Sequence, residues 1–183
     1  MKTSITLFAA ILIMGTGAFA QKFMTKNGNV SFFSTSPMEN IEAHNKQVNA
    51  ALDVATGDFV FKILIKSFEF EKALMQEHFN ENYMESDKYP NSTFQGKITN
   101  LSSVDFTKNG EYDVEVQGKL TIHGVTKDVT EKGKFTVKDG AVQGLSKFNV
   151  KLADYDIAIP KAVANNIAEV IEVTVDVKMN PLK

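Results

Sequence analysis

Residues 110–129, GEYDVEVQGKLTIHGVTKDV, contain the pattern that decides the fold. Every even position from 112 to 122 is apolar or glycine, and every odd position is polar. A period of two over such a length is typical of a β-strand with one buried and one solvated face. His123-Gly124 interrupts the alternation, which resumes at Val125. We therefore predict a long antiparallel hairpin with a tight turn at His123-Gly124.

The same two-residue period recurs in shorter tracts along the chain. These tracts are residues 48–54, 93–98, 125–137, 142–152 and 171–179. Asp139-Gly140 is the strongest two-residue hairpin signal between them. The pattern predicts an all-β fold, a single antiparallel barrel of eight or nine strands. Barrels of about eight strands either fill with side chains or enclose one small ligand.

Two stretches in the first half of the chain depart from simple alternation. Asn27-Gly28, between residues 23–26 and 30–34, predicts a type I′ hairpin. Residues 59–70 form the most apolar tract, but the large side chains move from odd to even positions after Ser67. A phase slip of one residue predicts a β-bulge or a sharp bend within that strand.

Residues 71–83 follow a helical period instead. The stripe on this segment comprises Leu74, Met75, His78, Phe79 and Asn82. Tyr89-Pro90 then ends the segment. We predict one substantial helix inserted around residues 71–84 that covers an end of the barrel, and a helical turn or short helix within residues 160–168.

Residues 1–20 have the features of a secretory signal peptide. Lys2 precedes an apolar run at residues 5–14, and Ala18-Phe19-Ala20 provides a small-residue cleavage site. An uncleaved membrane anchor is the alternative, but the run is shorter than the ~20 apolar residues that a span needs. We therefore predict that residues 21–183 form one exported, periplasmic domain with no stable membrane insertion.

Composition excludes several classes of partner and chemistry. The chain has no cysteine, so neither a disulfide nor a lipid-acylated cysteine is available. A formal net charge of −2 argues against nucleic acid as a partner. Every basic residue is lysine, so the bidentate grip of arginine on phosphate or carboxylate is absent.

Four separated motifs resemble one known family. They are GKLTIHGVTK at residues 118–127, HFN at residues 78–80 leading to Tyr83, SDKYPNSTF at residues 86–94, and Asp154-Tyr155 with residues 157–160. Together they are similar to the YceI-like family of lipocalin-like, polyisoprenoid-binding proteins, over essentially all of the predicted mature chain. The resemblance implies an exported, usually periplasmic barrel that encloses an isoprenoid or similar lipid tail without catalysis.

The inward faces of the predicted strands supply the candidate ligand-binding residues of the lumen. They are Phe61, Ile63, Phe94, Ile98, Val114, Val116, Leu120, Phe148, Val150, Val173 and Val175. Alternation alone does not distinguish a hollow barrel from a filled one. A strand of about 13 residues makes a tilted barrel about 30 Å tall, which favours a cavity. Inward glycines at 96, 118 and 144 also favour a cavity, although glycine serves equally to bend strands at barrel corners.

The sequence shows no catalytic or cofactor motif. It lacks Gly-x-Ser-x-Gly and a glycine-rich phosphate loop, and its carboxylates are interpreted as outward-facing. His78 and Glu81 make at most the edge of a metal site, so we expect no metal. His123 is expected to be structural, and Tyr155 to be a polar contact or strand-end packing at the barrel mouth.

The leading functional hypothesis is a lipid carrier or buffer. The expected ligand is an isoprenoid, quinone, fatty acid or fatty amide, and the absence of arginine favours a weakly charged head group. One alternative is a solid-core interaction or stress module without ligand, and another is an enzyme that uses the cavity. Whether the barrel forms a homodimer stays open.

Overall fold

The computed structural model describes residues 22–182 and has a continuous antiparallel sheet as its framework. Its strands are β1 (Lys22–Thr35), β2 (Asn40–Asp53), β3 (Asp58–Leu64), β4 (Glu69–Phe70), β5 (Asn91–Ile98), β6 (Gly110–Ile122), β7 (Val125–Lys138), β8 (Ala141–Lys151) and β9 (Val170–Pro181). Eight of them form a closed ring in the order β1-β2-β3-β5-β6-β7-β8-β9, and β9 pairs with β1. The short β4 pairs with β2 outside this ring. The predicted antiparallel barrel is confirmed.

The hairpin predicted from residues 110–129 is present in full. β6 pairs with β7 without a register shift, from Gly110 opposite Val137 to Ile122 opposite Val125. His123 and Gly124 have φ values of 50° and 77°, which is the left-handed geometry of a type I′ turn. The predicted turn at Asp139-Gly140 is also confirmed, with φ values of 52° and 76°.

The hairpin predicted at Asn27-Gly28 is wrong. β1 runs straight through these residues, and its register with β2 shifts on either side of Gly28, as at a β-bulge. A side chain at Gly28 would meet Val177 Cγ1 at 2.6 Å, so close packing explains this glycine. The first hairpin instead turns at Ser36, whose backbone N–H and hydroxyl both donate to the Glu39 carbonyl.

The phase slip predicted after Ser67 is a sharp bend. β3 ends at Leu64, a 3₁₀ turn covers Ile65–Ser67, and β4 follows. The predicted single strand over residues 59–70 is therefore two strands with a turn between them. Asn45 fixes the start of the bend, because its buried amide donates to the Leu64 carbonyl at 2.9 Å.

The predicted helix is present. Helix α1 (Ala73–His78) continues as a single π turn over Phe79–Tyr83, which gives eleven residues in all. Met75, His78 and Phe79 contribute to the barrel interior, whereas Leu74 is 61% exposed. The predicted stripe is thus wrong at Leu74, and the π turn moves the later residues out of the α-helical phase. The predicted helical turn near 160 is a 3₁₀ turn at Lys161–Val163.

Aromatic clusters close both ends of the barrel. The first, named here the aromatic plug, joins Phe23, Phe59, Phe106 and Phe135 with ring centroids 5.7–6.3 Å apart. The second, named here the helix-end cluster, joins Phe32, Phe68, Phe70 and Phe79 with centroids 5.0–5.8 Å apart. The start of β1, the end of β9 and the β7–β8 turn lie at the plug end, and α1 lies at the other.

The signal-peptide prediction falls on residues outside the described range of 22–182. Within that range no helix has the length and apolarity needed to span a bilayer.

The inward glycines at 96 and 118 serve backbone packing and do not open the lumen. They face each other on β5 and β6, and a Cβ at Gly118 would collide with the Gln95 carbonyl oxygen. The space beside Gly144 is filled by the Phe135 ring, 3.1 Å from the position of an added Cβ. Close packing, against backbone at Gly96 and Gly118 and against the Phe135 ring at Gly144, therefore accounts for these glycines.

Replacing Gly118 by alanine should lower the free energy of unfolding by about 1–3 kcal/mol, because the methyl group overpacks the β5–β6 pair. Gly110→Ala is the matched control on the same strand. Its added Cβ would meet only the flexible Tyr112 side chain, at 3.2 Å. We expect this control to change stability by less than about 1 kcal/mol in urea titrations. Equal effects of the two substitutions would contradict the packing explanation.

Candidate ligand-binding cavity

The barrel encloses a cavity of about 380 Å³ between the aromatic plug and the helix-end cluster. All eight strands of the ring contribute to its wall, which is mainly aliphatic and aromatic. Phe59 and Phe135 form its floor, since both belong to the plug and both line the cavity. The volume falls within the range of small-molecule pockets, about 300–1,000 Å³. The barrel is therefore hollow, and the solid-core alternative loses its structural premise.

Most of the predicted lumen residues lie on this wall. They are Phe61, Ile63, Phe94, Val114, Val116, Leu120, Phe148, Val150, Val173 and Val175. Ile98 is the exception, because it is buried at the plug end, where its backbone N–H donates to the Gly57 carbonyl. Ile98 faces inward, as predicted, but lies too near the plug end of the barrel to line the cavity. A role in ligand contact stays a prediction for the other residues.

Part of the wall comes from segments with no two-residue period. The bend and the helix supply Phe68, Phe70 and Phe79, and the β8–β9 connection adds Ile157, Val163 and Ile167. The phase slip in residues 59–70 was the signal for Phe68 and Phe70. The connection carries no periodic signal, so its contribution was not predictable from the pattern.

Glu131 is the functional candidate that sequence reasoning missed. It lies on β7 in phase with Val129, Gly133 and Phe135, and all four line the cavity. The expectation that every carboxylate faces outward is therefore wrong here. Burial raises the pKa of the Glu131 carboxyl, with no other contribution. Among residues 22–182, no group donates a hydrogen bond to this carboxylate or forms an ion pair with it.

The barrel wall is interrupted beside Glu131. β7 and β8 pair only from Gly133, opposite Ser146, toward the plug end. We name the line along which these two strands meet the β7–β8 seam. Where their pairing ends, the Ser146 hydroxyl donates a hydrogen bond to the Lys132 carbonyl at 2.7 Å. By strand alternation Lys132 and Leu145 belong to the outer face of the barrel, yet both residues also border the cavity. The cavity thus reaches between the two strands where their pairing stops.

A turn on the β8–β9 connection packs over this interruption. The 3₁₀ turn Leu152–Tyr155 contacts both β7 and β8. His123 anchors it: Nδ1 lies 3.2 Å from the Tyr155 carbonyl oxygen, and Nε2 lies 2.8 Å from the Glu85 carboxylate. The structural role predicted for His123 is confirmed. Tyr155 is buried, and burial, Asp154 and Glu131 raise the pKa of its phenol.

The described residues hold no group that fits a metal ion. No cluster of three or more histidine, cysteine or acidic side chains occurs within residues 22–182. His78 contributes to the cavity wall, whereas Glu81 is exposed on the π turn. The arrangement can therefore hold an apolar guest and offer it a few polar groups, of which Glu131 is the acidic one beside the seam.

Glu131→Gln should make the protein more stable at neutral pH. The pKa of Glu131 is raised above its ordinary 4.5, so the folded protein binds the proton more tightly than the unfolded chain. Stability then falls as pH rises through the window between the two pKa values. We expect the Tm of the variant to exceed that of wild type by a few degrees at pH 7 and to match it near pH 4.

Glu172→Gln on β9 is the control for the loss of one negative charge. Glu172 faces outward and pairs with Lys147 at 2.8 Å. We expect its Tm difference from wild type to lack this pH dependence. A Glu131→Gln variant that was equally or less stable than wild type at pH 7 would contradict the burial of an unpaired carboxylate.

Three solved structures share this fold. A polyisoprenoid binding domain from Saccharophagus degradans, implicated in plant cell wall breakdown, superposes with a TM-score of 0.76 at 13% identity, over 89% of this chain and 99% of that one. BcnA of Burkholderia cenocepacia gives a TM-score of 0.67 at 18% identity, over 83% and 95% of the two chains. The Campylobacter jejuni YCEI protein gives 0.60 at 21% identity, over 77% and 84%.

No curated protein matches the sequence significantly. The sequence does match one family, described as the YceI-like domain, over residues 17–179. This span includes the barrel ring up to Met179 of β9, the helix and the seam beside Glu131. The chain therefore belongs to the YceI-like domain family.

Proposed function

We propose that this protein is a carrier or buffer that holds a long apolar chain in its barrel. The observation that carries the proposal is the apolar cavity of about 380 Å³, closed at one end by the aromatic plug. The guest is an isoprenoid, quinone, fatty acid or fatty amide. A relative with the same fold is described as a polyisoprenoid binding domain, which supports this class of ligand.

The energetics favour such a guest. Removing roughly 400 Å² of apolar surface from water contributes on the order of 10 kcal/mol before the costs of association. Methylene groups discriminate poorly, so selectivity for chain length should be loose. With no arginine in the chain, a pyrophosphate head would depend on lysines, backbone amides or water.

The proposed activity is binding without catalysis. The cavity wall is mainly hydrocarbon. Both ring nitrogens of His123 are already engaged, one with the Tyr155 carbonyl and the other with the Glu85 carboxylate. Among residues 22–182, no hydrogen bond joins a nucleophilic side chain of this wall to a basic one. A reaction would need such a pair.

The site of action that we propose is the periplasm. The features of residues 1–20 support export through a cleaved signal peptide. Intact-mass measurement of the protein recovered from its native host should give a chain that begins at Gln21. A recovered mass that includes residues 1–20 would contradict cleavage.

Binding is tested by native mass spectrometry and organic extraction of the purified protein. We expect a co-purifying apolar compound, or uptake of added geranylgeraniol. Val116→Trp should weaken geranylgeraniol binding at least about tenfold, because an indole at this position occupies the cavity. Gln117→Trp, on the exposed face of the same strand, is the matched control and should bind as wild type does.

Two outcomes would contradict the proposal. One is a wild-type protein that takes up none of geranylgeraniol, a quinone, oleic acid and oleamide. The other is equal binding by the Val116→Trp and Gln117→Trp variants, with both shown to be folded by circular dichroism. The first outcome would exclude a lipid-binding lumen, and the second would show that the guest binds outside the lumen.

A further inference from the structure

Glu131 is a polar group in an otherwise hydrocarbon part of the wall. Its partner across β6 is Val116, and its neighbours on the same face of β7 are Val129 and Gly133. The other acidic side chain on the wall, Glu39, lies by the first hairpin and is paired with Lys72 at 2.7 Å. Glu131 therefore differs from Glu39 in forming no ion pair among the described residues.

The groups around Glu131 leave its acceptor oxygens available. Ser146, the nearest polar residue across the seam, donates its hydroxyl to the Lys132 carbonyl. Lys132 alternates outward and is exposed. The Tyr155 phenol, on the covering turn, adds no positive charge. Glu131 is half-buried, so its carboxyl group gives up part of its water without gaining a partner, and a donor supplied by a guest would be favourable.

We propose that Glu131 selects the head group of the guest, which must donate hydrogen bonds: a hydroxyl, a primary amide or an amine. The same carboxylate would repel a fatty acid carboxylate or a phosphate head. This inference rests on the proposed function and narrows its ligand class. The sign of the charge matters more here than shape, because Coulomb interactions are strong in a wall of low dielectric constant.

The position of Glu131 suits a head group. It lies where the β7–β8 pairing ends, at Gly133 and Ser146, and the cavity reaches between the strands at this point. A polar head at this level keeps partial contact with water, while the tail occupies the apolar space toward the helix-end cluster. A head group at the aromatic plug, by contrast, would be buried among rings with no polar partner.

The test uses four C18 probes with the same oleyl chain: oleyl alcohol, oleamide, oleylamine and oleic acid. Their dissociation constants are measured at pH 7 by displacement of 1-aminoanthracene. We expect wild type to bind the three donor heads about 10- to 100-fold more tightly than oleic acid. Glu131→Gln should bring all four within about threefold of one another, chiefly by strengthening oleate and weakening oleylamine.

Two further variants separate head-group recognition from folding or net charge. Glu131→Asp keeps the negative charge on a shorter side chain, so it should retain the order of affinities with a smaller spread. Glu172→Gln removes one charge from the outer wall and should leave the wild-type order unchanged. Thermal unfolding of each variant verifies that the barrel is intact.

The outcomes separate this inference from the proposed function. Wild-type protein that binds none of the four probes, nor geranylgeraniol, would overturn both. Probes that bind wild type and Glu131→Gln with the same order of affinities would overturn the role of Glu131 and leave the proposed lipid-binding function unaffected. Collapse of the order in Glu131→Gln, with retention in Glu131→Asp and Glu172→Gln, would support the inference.

Discussion

Closure of the sheet is the constraint on which the rest of the structure depends. β1 is hydrogen-bonded on one side to β2 and on the other to β9, so the first and last strands of the chain join the ring. Apart from the point where β7 and β8 stop pairing, a closed ring gives each strand a partner on both sides and holds its shape without a filled interior. The barrel therefore keeps its shape around a cavity, which a helical bundle or open sheet of this size could not easily do.

The division of the core along the barrel axis follows from this closure. Large side chains with no more than 2% exposure, such as Phe23, Leu52, Phe135 and Met179, gather at the plug end. At the helix end the wall residues are mostly half-buried, because the cavity takes the place of partner atoms. Stability and binding capacity are thus separated in space. Bound guest would add stability to the hollow end by mass action, in proportion to its affinity.

The two-residue period was enough to predict the barrel and most of its wall, because alternation reports directly which face a side chain occupies. It does not report depth, and Ile98 shows the consequence: the face is right but the residue lies beyond the cavity. It also does not explain why a glycine is present. Gly28 looked like a turn residue, although its role is to let Val177 pack against the backbone.

Glu131 shows a different limit of the same reasoning. Its position in β7 follows the inward phase of Val129 and Phe135, so the pattern itself pointed into the lumen. The carboxylates were nevertheless interpreted as outward-facing. Withdrawing a charged side chain from water without a partner costs free energy. That cost is the reason to regard it as functional: a closed apolar barrel has no structural need for a carboxylate, and a complementary donor on a guest would offset it. The violation of the local rule therefore marks the place where binding specificity would be encoded.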